Sequence, residues 1–105
     1  MKMIKALIRP LNLNEVKTAL QGMGIEEIWT EEILVSQRES NGPKKGEALF
    51  YRGAELVTDF IAKMKIEIIV ADGLVDMVVA TIRKIARMDQ KGDCRIFILP
   101  LIEAR

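Results

Sequence analysis

The chain runs through the same order of elements twice, and that repetition limits its folds more than any other feature. Met64 to Ala71 reads MKIEIIVA, with Met64, Ile66, Ile68 and Val70 on one side of an extended strand. Asp72 then stands where a helix N-cap is expected, and Leu74, Val75, Val78, Val79, Ile82 and Ala86 recur at helical spacing. Gly92 marks a turn, and Arg95 to Leu101 reads as a last strand with Pro100 near its end. The first half has the same plan. Met3 to Arg9 alternates, with Ile4, Ala6 and Ile8 on one side and Lys5, Leu7 and Arg9 on the other, until Pro10 removes a ladder donor. A helix is predicted from about Asn12, with Val16, Ala19, Leu20 and Met23 inward and Gly24 as its left-handed terminator. Ile28 to Val35 follows as a strand, with Trp29, Ile33 and Val35 on one face.

Two successive βαβ units with right-handed crossovers make an α+β fold of the ferredoxin-like kind. The expected order is βαββαβ: a four-stranded antiparallel sheet with both helices on one face. Such a sheet should be polar on its other face, yet Leu7, Leu34, Ile69, Ile96 and Ile98 leave several strands apolar on both sides. No element remains to cover the second side. Burying each such side chain is worth about 1.5–3 kcal/mol, so the pattern predicts an obligate oligomer.

At 105 residues there is room for a single domain spanning 1–105. A net charge of +1 argues against a nucleic-acid partner, which needs many phosphate contacts. No apolar run nears the roughly 20 residues that cross a bilayer, so no membrane insertion is expected. The opening MKMIKALIRP is short and charged for a secretory signal, and the single cysteine, Cys94, allows no intrachain disulfide; both point to the cytoplasm. With no histidine, the commonest general base and transition-metal ligand is missing, and no nucleophile–base pair stands out. The expectation is a binding protein with no catalytic residues, no metal centre and no enzyme activity.

Between the halves, Ser36 to Asp59 carries Gly, Pro, Asn and charges without a hydrophobic period in its first part, so it is expected to be a mobile loop. A loop of this length inside a compact domain is uncommon unless it is functional, and from length alone function and tolerated insertion stand as equal readings.

From Phe50 onward the chain resembles the PII signal-transduction family. The runs YRGAE (Tyr51 to Glu55), DFIAKMKIEIIVAD (Asp59 to Asp72) and KGDCRIF (Lys91 to Phe97) keep the family's order and spacing, and the opening twenty residues match its first strand and helix. The resemblance implies a homotrimer with inward-facing sheets and three intersubunit clefts for ATP or ADP. It also implies protruding T-loops (about 36–59 here) that engage a membrane transporter or a nitrogen-metabolism enzyme. A B-loop, about 88–95, would wrap the phosphates with Lys91, Gly92, Asp93, Cys94 and Arg95; Gly92 allows close backbone approach and Arg95 suits phosphate oxygens. Glu67 matches the residue that reaches the ribose, and Arg38 an arginine at the loop base near the nucleotide. Lys63 and Glu39 match the positions that serve a 2-oxoglutarate-type carboxylate, with magnesium as a companion ion. Lys44, Lys45, Tyr51 and Arg52 would belong to the partner-binding loop. Each also has a plainer reading: a surface arginine at a turn for Arg95, a salt-bridge residue for Glu67, a solvated charge for Lys63, a surface residue for Arg38.

The departures gather at the implied ligand site. Cys94 replaces a family glycine, and Asp89 another, bringing a carboxylate towards an anion. Val35 and Gln37 stand at glycine positions, and Glu39 stands for a glutamine. About five extra residues surround Ser40 to Lys44, and Leu56 holds the place of a tyrosine that some members have uridylylated. The chain stops at Arg105, before a pair of arginines that also contact phosphate in the family. These changes predict weaker nucleotide binding, loss of 2-oxoglutarate sensing and no uridylylation. Cys94 is read as a small apolar filler, with a thiolate activated by Arg95 as the other reading. The alternative function is a PII-like trimer with a degenerate nucleotide site that senses another small ligand (a metal ion, bicarbonate or another nucleotide) for a different transporter.

Overall fold

The computed structural model describes residues 1–37, 59–86 and 94–105, without the side chains of Gln37 and Asp59. Strand β1 (Lys2–Ile8) leads through a 3-10 turn at Pro10–Asn12 into helix α1 (Leu13–Gly22) and then strand β2 (Trp29–Gln37). Strand β3 (Asp59–Val70), a second 3-10 turn at Asp72–Leu74, helix α2 (Val75–Ile85) and strand β4 (Arg95–Pro100) complete the second half. The four strands form one antiparallel sheet in the order β2-β3-β1-β4, as the repeated βαβ plan requires.

The core lies between the sheet and the two helices. Ile4, Ala6 and Ile8 of β1 and Ile66, Ile68 and Val70 of β3 are buried against Val16 and Leu20 of α1 and Val78 and Ile82 of α2. Every second residue of the two central strands enters this layer, as their alternation predicts. Helix α1 ends in a Schellman arrangement: Gly24 has φ +90°, its N–H donates to the Gln21 carbonyl (3.0 Å), and Ile25 donates to Leu20 (3.0 Å). Ile25 is buried beside the helix it terminates.

Two expectations are corrected. Strand β3 begins at Asp59, not Met64, because Asp59 to Lys63 pair with Gln37 to Ile33. The connecting segment therefore begins after Gln37 and ends before Asp59. Phe60 and Ile61 are both apolar and sit on opposite faces, so no alternation announced this part of the strand. Asp72 does not cap α2, whose N-cap position is Leu74 with no side-chain hydrogen bond. The ladder sets Lys2 opposite Val70, so the start of β1 lies beside Asp72. Asp72 Oδ1 accepts from the Met1 amine at 2.7 Å and Lys2 Nζ at 3.3 Å.

Those two bonds, the amine's first, hold the Asp72 carboxyl below its ordinary value. A lowered carboxylate pKa adds stability that is present above the unfolded value and lost as pH falls through the folded one. The pair is exposed, so its contribution is small. Asp72→Asn is expected to melt slightly below the parent at neutral pH, with the gap closing as pH falls through the lowered carboxyl value. A gap that persists in acid would assign another role to Asp72.

Candidate functional site: the open sheet face and its end groove

The odd-numbered strand residues point away from the helices. Ladder register arranges them in rows across the sheet: Trp29–Glu67–Lys5–Phe97, Glu31–Lys65–Leu7–Arg95, and Ile69–Met3–Leu99. Ile33 with Lys63 and Val35 with Ile61 extend the face along the β2–β3 pair. Trp29, Ile61, Phe97 and Leu99 each leave at least 40% of their surface exposed. Large apolar side chains left exposed on an uncovered sheet face mark an interaction site. The faces expected from sequence are refined here: Leu7 and Ile69 belong to the open side, whereas Leu34, Ile96 and Ile98 lie on the helix side.

Charges cross this face in two pairs. Lys5 Nζ lies 3.6 Å from Glu67 Oε2, and Lys65 Nζ lies 3.1 Å from Glu31 Oε1. The hydrogen bond to Glu31, then the charges of Glu31 and Glu67, raise the Lys65 pKa. On the alkaline side the pairing therefore holds through neutral pH and is lost as pH rises past that raised value. Glu67 is half-buried, and the register places it on the same face as the apolar rows.

Three predicted site residues, Glu67, Lys63 and Arg95, share this open face. Lys63 is four residues along β3 from Glu67, about 13 Å away. Arg95 is two strands over and one row along, with its Cα about 12 Å from that of Glu67. Cys94 precedes Arg95, and its half-buried side chain packs against the core. Arg38, Glu39, Lys44, Lys45, Tyr51, Arg52, Lys91, Gly92 and Asp93 lie outside the described residues.

A groove of about 310 Å³ opens at one end of the sheet, where the α1–β2 connection meets the end of β3. Met23, Trp29, Ile69 and Leu74 are apolar lining residues, and Glu26 and Glu27 line it as well. Trp29 pairs with Glu67 across the ladder, so the groove adjoins that carboxylate. Sequence reasoning missed the groove and the Lys5–Glu67 pair, because both depend on strand register. The signal available was Trp29, the chain's single tryptophan, on an otherwise acidic stretch. Among the described residues no group of three or more Asp, Glu, Cys or His could hold a metal, and no helix is long and apolar enough to cross a membrane.

The family model for "Nitrogen regulatory protein P-II" matches residues 1–105. The chain belongs to the P-II family. Nitrogen regulatory protein P-II of Bradyrhizobium diazoefficiens is 42% identical over 104 residues, covering 99% of this chain and 88% of the relative. The protein of the same name from Azospirillum brasilense is 41% identical over 103 residues, 98% of this chain and 88% of the relative. That of Synechocystis is 43% identical over 101 residues, 96% of this chain and 86% of the relative. The family expected from the motifs is thus shown, and with it a regulatory protein of the P-II type, not an enzyme, built on the ferredoxin-like fold.

Proposed function

We infer that this P-II protein works as a cytoplasmic homotrimer whose open sheet faces turn inward, and that it binds ATP or ADP in the clefts between copies. The observation that carries this reading is the uncovered apolar sheet face, which also displays Glu67, Lys63 and Arg95. Apposing such faces removes the exposed Trp29, Phe97 and Leu99 from water and sets the charged residues at the edges of a shared cleft. Glu67 suits a ribose, since a carboxylate accepts from paired hydroxyls. Arg95 suits phosphate oxygens, together with backbone groups of Lys91, Gly92 and Asp93 and the guanidinium of Arg38. Magnesium would accompany the phosphates, with Glu39 as a carboxylate ligand. Occupancy of the cleft then biases the segment between Gln37 and Asp59, including Lys44, Lys45, Tyr51 and Arg52, and that segment docks on a transporter or a metabolic enzyme. This coupling requires the nucleotide to bind the docking and non-docking states with different affinities.

Calorimetric titration with ATP and with ADP, each with and without magnesium, tests the reading. Saturation near one nucleotide per protomer is expected, with Glu67→Gln weakening binding about tenfold through loss of a charge-assisted hydrogen bond. Absence of heat with either nucleotide would remove adenine nucleotides as the ligand and leave the family assignment standing.

A further inference from the structure

A ring of three copies cannot be built from a self-complementary contact, which stops at two; each copy must offer two different surfaces that fit one another. Among the described residues the sheet has two edges without a strand partner, β2 and β4, at opposite ends of the order β2-β3-β1-β4. The edges differ in charge. The charged residues of β2 are Glu31 and Glu32, and that of β4 is Arg95. Both edges also carry exposed apolar side chains, Trp29 on β2 and Phe97 and Leu99 on β4. Unpaired apolar edges of this kind invite a further strand.

Strand direction and register restrict how the two edges can meet. β2 is antiparallel to β3, β3 to β1 and β1 to β4, so β2 and β4 run in opposite directions. A threefold axis along the strands keeps each ladder row at its own height, and brings the β2 end of a row to the β4 end of the same row in the next copy. The row Glu31–Lys65–Leu7–Arg95 then closes acid on base, and the row Trp29–Glu67–Lys5–Phe97 closes aromatic on aromatic. Both are favourable cross-strand pairs, and one antiparallel register makes both. A slip of two residues, which keeps the faces, would set Glu31 against Phe97 and Ile33 against Arg95 and lose both pairs.

We propose that copies of this chain join head to tail along these edges, β2 of one antiparallel to β4 of the next, with Glu31 paired to Arg95 and Trp29 packed on Phe97 across each seam. The proposal rests on the assembly reading above. Each cleft is then incomplete without its neighbour, because Glu31 of one copy holds Arg95 of the next. The guanidinium has five N–H donors, enough for a carboxylate and a phosphate oxygen together.

Disulfide trapping tests the register. In a Cys94→Ser background, cysteines would be placed as the pair Glu31→Cys with Arg95→Cys, and separately as the pair Trp29→Cys with Phe97→Cys, which leaves the charges in place. Within one copy each pair is three strands apart, about 14 Å, too far for a disulfide, whereas paired edges bring the two positions to about 4.5–5.5 Å. Mild oxidation of either pair is expected to give covalent dimers and trimers on a denaturing gel, and each single-cysteine variant only the 11.9 kDa band. A single-cysteine variant that links to itself would show a self-complementary contact and overturn the proposal. If neither pair links while light scattering still gives three times the protomer mass, the edges do not meet in this register; the proposal fails and the assembly reading stands. If the parent itself scatters as an 11.9 kDa particle, both fall together.

Discussion

Met3→Asp is expected to abolish assembly and, with it, the dependence of melting temperature on protein concentration. Met3 occupies the centre of the open face's apolar row, between Ile69 of β3 and Leu99 of β4. A carboxylate there has no cation in its own row, and the nearby Lys5 is already paired with Glu67. Enclosing it between copies leaves an unpaired charge in a desolvated interface, which costs several kcal/mol, on the order of what a mutation must supply to dissociate a small oligomer. The parent's melting temperature should climb as its concentration is raised, because partner subunits bind only the folded chain. Met3→Asp should melt at one temperature across that range. A variant that keeps the parent's concentration dependence would show that the open face is not the assembly surface.

Ile82→Ala should produce the second large effect, on the stability of the protomer. Ile82 is fully buried on α2 within the sheet–helix core, in a layer containing Ile4, Ile66 and Ile68. Truncation removes apolar contact and leaves a cavity, at a cost of about 2–5 kcal/mol, against a total stability of about 5–15 kcal/mol for a domain. A fall in melting temperature of about 10 °C or more is expected, while Ile82→Val, which keeps most of the volume, should cost about 0.5–1.5 kcal/mol. Equal stabilities for the two variants would contradict the packing described for α2.

The parts of this fold that could be read in advance are those where one residue type in a fixed period carries the physics. Ile4, Ala6 and Ile8, or Ile66, Ile68 and Val70, reveal their strand by alternation; Val16 and Leu20, or Val78 and Ile82, reveal their helix by spacing. Gly24 announces a left-handed terminator because few other residues accept φ +90°. The start of β3 at Asp59 was hidden, since Phe60 and Ile61 are apolar on opposite faces and only pairing with β2 orders them. Asp72 looked like a cap by local sequence, but a partner seventy residues earlier in the chain, Lys2, competes for its carboxylate. Register hides most of the candidate site in the same way. Glu67 could be singled out as an acid on an apolar strand, whereas its ion pair with Lys5 and its neighbour Trp29 exist only once β1, β2 and β3 are aligned. The groove needs residues from the α1–β2 connection, β3 and the following turn, which no single stretch of sequence contains.

The proposed assembly closes the open sheet face against two further copies of the chain and so creates the clefts assigned to nucleotide. Light scattering on the purified wild-type chain tests it most directly. A particle of three times the 11.9 kDa protomer mass is expected. A species of 11.9 kDa that persists as the protein is concentrated would contradict it.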